Sequence, residues 1–243
     1  MNEPHQAAAA TDAAPCHGLL ERGVAAHAHT GAWVAERLRA LIAAGKMVPG
    51  QKLGEKALSE TFGISRNTLR EAFRMLNNEL IITRVPNRGV FVASPGPEDV
   101  REIYAVRRMI EPAAVAWGAD LNVAQLHRTV VSGLEAMAAS DTVGVADANQ
   151  RFHQQIVAGS GSRHLQELMH RVLARMRLAF QSAQGTTDFH RTYLQGNVNV
   201  VGLLDRGQRV AAADELRSYL EAAETELLSR LSATAPGAAP RRG

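Results

Sequence analysis

The chain has one cysteine, Cys16, so no internal disulfide can hold it together. It has no apolar run approaching the ~18 residues that a membrane-spanning helix needs. Its start lacks the basic stretch and apolar segment of a secretory signal. A cytoplasmic protein without a membrane partner is expected. Signatures of catalysis are missing too. Residues 98–231 carry no HExxH, no glycine-rich phosphate loop and no evident carboxylate–histidine pair, which argues against an enzyme. What is present is ordinary for a folded chain of 243 residues, with 46% hydrophobic and 21% charged residues, enough for one large or two modest domains.

The formal net charge is only +3, but it is unevenly placed. Residues 31–95 hold 10 Lys/Arg against 5 Asp/Glu, whereas residues 96–243 hold 16 of each. A local basic excess of this size suits attraction to phosphates, although many folded surfaces carry as much.

The same stretch has the organisation of a DNA-reading head. Leu69, Ala72, Phe73 and Leu76 recur at i, i+3, i+4 and i+7, the apolar stripe of a helix. Asn67, Arg70 and Arg74 share another face, Arg66 stands in the first turn, and Ser65 suits the N-cap. Upstream, Leu58 and Phe62 give a short helix its buried side, and Gly63 supplies the turn between the two. Downstream, residues 81–85 and 90–92 are rich in β-branched residues and flank Pro86-Asn87-Arg88-Gly89, which predicts a hairpin with a basic tip. A helix of this kind enters a major groove while such a wing reaches phosphates or a minor groove.

These features, with the Pro49-Gly50 turn ahead of Leu53 and the run Arg70-Glu71-Ala72, resemble the winged helix-turn-helix of the GntR family of bacterial transcription regulators over about residues 31–95. The resemblance implies DNA contacts at Lys56, Ser65, Arg66, Asn67, Thr68, Arg70, Arg88 and Gly89. Many relatives have threonine where this chain has Asn67, whose amide can pair with an adenine edge.

The rest of the chain is expected to be mainly α. Residues 1–30 read as a flexible tail and 31–45 as a first helix ended by Gly45. Ser94-Pro95-Gly96-Pro97 reads as a linker, and 98–231 as an all-α bundle. Its helices are expected near 98–119 (with Glu111-Pro112 a candidate break), 122–140, 143–159, 163–183, 188–205 and 208–231, punctuated by Gly161, Gly185 and Gly207. Residues 232–243 read as a disordered tail.

Within the bundle, residues 106–111, Phe152-His153, and Leu204-Asp205-Arg206-Gly207 with Ala212 and Leu220 resemble the FCD domain of the FadR branch of that family. The resemblance implies an effector-binding and dimerisation domain, and in many relatives a divalent metal held by Asp or Asn and three histidines. The corresponding positions here are Asn149, His153, Asn197 and Tyr219. One imidazole of three is kept, so no cofactor is assigned and a degraded metal site stands as the alternative; a shift in alignment would bring in His170 or His190. With Arg107, the same residues form the expected effector pocket, biased toward a carboxylate. His153 reads equally well as a histidine satisfied by hydrogen bonds, and Arg107 as a surface partner of Glu111 at i+4. His27, His29 and His164 read as surface residues.

The implied function is a ligand-responsive homodimer on an inverted-repeat operator in double-stranded DNA, a repressor released by a small metabolite. An architectural DNA-binder without effector is one alternative. A metal-dependent helical enzyme fused to a DNA-binding module is another.

Overall fold

The structure, a computed structural model, describes residues 30–183 and 187–234, excluding the side chains of 187–192 and of Thr234. The expected N-terminal tail, apart from Thr30, lies outside the described residues, as do Gly185, the side chain of His190 and residues 235–243.

Helix α1 (Gly31–Ala43) starts where the Thr30 hydroxyl accepts from the Trp33 amide at 3.2 Å, and it buries Val34, Leu38, Leu41 and Ile42. Thr30 is thus a cap rather than part of a tail. Helices α2 (Glu55–Phe62) and α3 (Arg66–Asn78) are separated by Gly63, which holds φ at +65° in the left-handed region that glycine adopts without steric cost. Ser65 caps α3 by accepting from the Thr68 amide at 3.1 Å, and the stripe Leu69, Ala72, Phe73 and Leu76 is buried as its spacing predicts.

Strands β2 (Ile82–Val85) and β3 (Gly89–Val92) pair antiparallel, with Thr83 opposite Phe91, so Gly89 opens a strand instead of belonging to the turn. A third strand not foreseen from the sequence, β1 (Lys52–Leu53), pairs with β3 to give the sheet order β1-β3-β2. Two residues are too short to display an alternation, so β1 exists only through its partner. The sheet and α1 to α3 close over one core that includes Leu38, Leu69, Phe73, Leu76, Ile81 and Val92.

The second body holds α4 (Pro97–Trp117), α5 (Val123–Ala138), α6 (Thr142–Ala158), α7 (Arg163–Ser182), α8 (Thr187–Asp205) and α9 (Arg209–Thr234). Asn122, Asp141 and Ser162 cap α5, α6 and α7 through side-chain oxygens. Two expectations are corrected. The candidate break at Glu111-Pro112 does not occur, since α4 runs through Pro112. An interior proline costs about 3 kcal/mol, but Val100, Ile103 and Tyr104 before it and Ala114 and Val115 after it are buried, many against α9, and that packing outweighs the local penalty. At the other end, α9 continues to Thr234, so the tail does not begin at residue 232.

Candidate nucleic-acid interface and ligand cavity

All eight residues implied to touch DNA lie at the surface of the head. Lys56, Ser65, Arg66, Asn67, Arg70, Arg88 and Gly89 are exposed, and Thr68 is half-buried, its hydroxyl 2.9 Å from that of Ser65 at the helix cap. The apolar stripe of α3 faces inward, so its basic side is left to solvent. Arg70 is 55% exposed and its Nε donates to Glu55 Oε2 at 3.0 Å. An exposed pair of this kind is worth well under about 1 kcal/mol, so phosphate or a base edge can displace Glu55. Sequence reading missed Glu55 as the partner of Arg70. It also missed Lys52, which reaches the wing: a Cβ added at Gly89 would lie 3.3 Å from Lys52 Cε. Lys52 was hidden because β1 was.

The bundle is organised around a carboxylate. Glu111 is 0% exposed and binds two groups at once. Arg107 Nε donates to Glu111 Oε1 at 2.6 Å, and His153 Nδ1 lies 2.7 Å from Oε2. Burial alone would raise the Glu111 pKa, but the Arg107 guanidinium and His153 outweigh it and hold the carboxyl at about 2. Burial pushes His153 down from its ordinary 6.5 despite the adjacent carboxylate, which favours the neutral ring. An ionised Glu111 only accepts, which places the ring proton on Nδ1 and leaves Nε2 with a free lone pair. His153 Nε2, Arg107 Nη2 and Asn197 Oδ1 are all buried without a hydrogen-bond partner among the described residues.

Two expectations fall here. The bundle does contain a carboxylate–histidine pair, but its members stand 42 residues apart on α4 and α6, a separation no local motif records. Arg107 does pair with Glu111, yet the pair is buried, not on the surface.

The other expected pocket residues gather around this trio. The Tyr219 ring stacks on His153 at 6.0 Å and 11°, and Asn197 Nδ2 donates to Asn149 Oδ1 at 2.9 Å. Gly196 makes the approach of α9 to α8 possible, because a Cβ there would meet the Tyr219 ring at 2.6 Å. Only Arg107 and Asn149 of the five line the adjoining cavity of about 340 Å³; His153, Asn197 and Tyr219 do not. Apolar walls come from Val143, Leu173, Met176 and Phe180, and the head closes one side through Ala43, Gly45 and Val48. Arg177 and Gln181 of α7 complete it, and neither carried any signal in the sequence beyond a polar helix position.

As a metal centre this donor set fits poorly. Both Glu111 oxygens, His153 Nδ1 and Asn149 Oδ1 are engaged within the protein. The unpaired acceptors are one imidazole nitrogen and one amide oxygen, short of the three protein ligands of a usual zinc site. Among the described residues no three His, Cys, Asp or Glu side chains converge on a point.

Two outcomes follow from this geometry. Glu111 protonates at its ordinary 4.5 in the unfolded chain but only near 2 in the fold, so its stabilisation is present above pH 4.5 and is lost as pH falls from 4.5 toward 2. His153 takes up a proton more readily unfolded than folded, so stability also declines as pH drops below 6.5. Urea unfolding across this range should show both losses. Glu111→Gln should be less stable near neutral pH by about 3–5 kcal/mol, having left Arg107 buried without its counter-charge, and should lack the loss between 4.5 and 2. Equal acid sensitivity of parent and variant would refute the assignment. Elemental analysis of dialysed protein should find zinc well below stoichiometric; stoichiometric zinc that disappears in His153→Ala would restore the metal site.

Comparison with known proteins agrees with this division. Residues 30–92 match the family described as "Bacterial regulatory proteins, gntR family" and residues 102–222 match the FCD domain. An uncharacterised HTH-type transcriptional regulator, YdhC, from Bacillus subtilis is 30% identical over 141 residues, 56% of this chain and 63% of that protein. The galactonate operon transcriptional repressor of Escherichia coli is 29% identical over 178 residues, covering 64% of this chain and 74% of the repressor. The crystal structure of a putative GntR transcriptional regulator from Rhodococcus sp. RHA1 superimposes with a TM-score of 0.78 at 34% identity, covering 82% of this chain and 97% of that one. With a matching head, a matching bundle and a solved relative that spans 82% of its length, the chain belongs to the GntR family of bacterial regulatory proteins, in the group that carries a C-terminal FCD domain.

Proposed function

We propose that the protein is a DNA-binding transcription regulator whose operator affinity is set by a small molecule held beside Arg107 and Asn149. The observation that carries this reading is the cavity, which is walled by the bundle and by the end of α1 together, so an occupant touches both domains. A purely architectural DNA-binder has no use for a partly polar cavity at that joint. Both matched families are those of regulators, so the enzyme alternative is set aside.

The ligand class follows from what the lining offers. Arg107 has committed its Nε to Glu111, while its Nη2 is buried without a partner among the described residues, so the guanidinium keeps a donor for an incoming carboxylate. One oxygen of a carboxylate satisfies it. Asn149, with Asn197 and His153 behind it, suits hydroxyl groups, which donate and accept. A small hydroxylated carboxylate therefore fits best, in the size range of a cavity near 340 Å³. The repressor of the galactonate operon among the relatives makes galactonate the first compound to try. The expected mode is a repressor released by this molecule.

One recognition helix covers only a few base pairs, so two copies on an inverted repeat are the usual route to affinity and register. We therefore propose a homodimer. The exposure of Arg66 and Arg70 on α3 supports a role for them in reading guanine edges, where a bidentate contact discriminates by about 1–3 kcal/mol.

With an operator selected from random duplexes, Arg70→Ala should lower the ratio of specific to scrambled binding by roughly 10- to 100-fold. The footprint of the parent should be two-fold symmetric. An unchanged ratio, or an asymmetric footprint from a monomer in light scattering, contradicts the assignment. In a thermal-shift screen of galactonate and related hydroxy acids, at least one should raise the melting temperature, by about 2–4 °C per kcal/mol of linkage, and release the operator. Silence across that panel, with tight operator binding throughout, favours the architectural reading.

A further inference from the structure

The joint between head and bundle is a helix end. α1 stops at Ala43, and the last carbonyls of a helix have no partners within it. Two of them are taken by side chains from the other domain. Arg177 Nε donates to Ala43 O at 2.5 Å and Gln181 Nε2 to Ile42 O at 3.0 Å. A guanidinium at this position also complements the negative end of the helix dipole. Arg177 is only 8% exposed, and its Nη1 lies 2.6 Å from Asp147 Oδ1 on α6, so one side chain ties together three helices. Leu178, next to it on α7, is 1% exposed within the core of the head.

The same two polar side chains line the cavity. Gln181 Oε1 is removed from solvent and has no hydrogen-bond partner among the described residues, and the same holds for Arg107 Nη2, which also lines the cavity. A second cavity, about 170 Å³, lies where Arg177 and Leu178 face Ile42 and Ala43. Around Arg177 the joint is therefore loosely packed, and polar contacts hold much of it.

We propose that Arg177 and Gln181 contact the ligand directly as well as capping α1, so that occupancy of the cavity competes for the hydrogen bonds that seat the head on the bundle. This rests on the regulator reading above and deepens it by naming the device. A carboxylate oxygen meets Arg107 Nη2 or the Arg177 guanidinium, and a hydroxyl donates to Gln181 Oε1. Drawing Arg177 toward the ligand uncaps Ala43, and drawing Gln181 removes one of the two donors of Ile42 O, which the Gly45 amide also serves. Helix α1 then shifts against α7, and α3, packed on α1, carries Arg66, Asn67 and Arg70 with it. Two heads on one operator tolerate little change in spacing, so a small rotation is enough to release DNA.

Coupling is reciprocal, so it can be tested without knowing the ligand. DNA touches the head, yet it selects the seated arrangement. Binding of a selected operator should slow amide hydrogen exchange in residues 40–48 and also in residues 172–182 of α7, by roughly fivefold or more. In Arg177→Met with Gln181→Leu, operator should still protect α3, but residues 172–182 should no longer respond. Arg177→Lys keeps the charge, loses the geometry of the guanidinium, and serves as the milder variant should the double substitution fold poorly; the same loss is expected. An α7 that ignores DNA in the parent, or responds equally in a variant that still binds operator, overturns the proposal. Galactonate, added in a separate arm, should reverse the protection of residues 172–182 in the parent only. Should no hydroxy acid shift melting while DNA still slows exchange in α7, the chosen ligand class fails and the coupling through Arg177 and Gln181 stands.

Discussion

A single ionised carboxylate with no access to solvent organises the bundle. Glu111 binds Arg107 one turn earlier on α4 and His153 on α6, and His153 in turn stacks on Tyr219 of α9. Taking such charges out of water is expensive, and the cost is met only when every oxygen finds a donor at short range. That requirement couples the positions of α4, α6 and α9. It also explains why three polar side chains coexist with a core of Tyr104, Phe152, Ile156 and Leu220. Arg107 lies over the Tyr104 ring at 5.1 Å, so even its charged face is used. Glu111 claims the Nε of Arg107 and the Nδ1 of His153, which leaves Arg107 Nη2 and His153 Nε2 as buried polar atoms without partners among the described residues. The carboxylate therefore sets both the stability of the bundle and which of its polar atoms stay unpaired.

The second constraint is at the other end of the cavity, where α1 serves both bodies. Its N-terminus is capped locally by Thr30, its buried side packs under α3, and its C-terminus is capped from the bundle by Arg177 and Gln181. A local cap makes the helix form; a distant one makes it a reporter. The reading surface of α3 is meanwhile held in a weakly committed state, with Arg70 resting on Glu55. Strong burial in the bundle and weak, replaceable contacts at the DNA face are what a regulator needs, since only the latter have to be exchanged on binding.

Much of the head was legible in advance, because its signals are local. Ser65 as a cap, the stripe from Leu69 to Leu76, and Gly63 as a turn are settled by residues within about two helical turns of one another. The fuller length of α4 was less legible: Pro112 is a local argument for a break, and packing against α9 overrode it. β1 could not be read at all, since two residues become a strand only when β3 lies beside them. Of the candidate pocket, Asn149 and His153 share a helix face and Arg107 was placed by family resemblance, but the role of Glu111 was not seen.

By itself the sequence determined most of the elements and the likeness to a family: caps, stripes and turn residues act through contacts three or four positions apart, and those survive in any arrangement of the chain. Tertiary structure decided which distant polar groups meet. Glu111 with His153, Arg177 with Ala43 and Gln181 with Ile42 join residues 42, 134 and 139 positions apart. Nothing near any of them in the chain announces the partner. Each pairing is made only because burial removes water as the competing partner, and burial is a property of the packed whole.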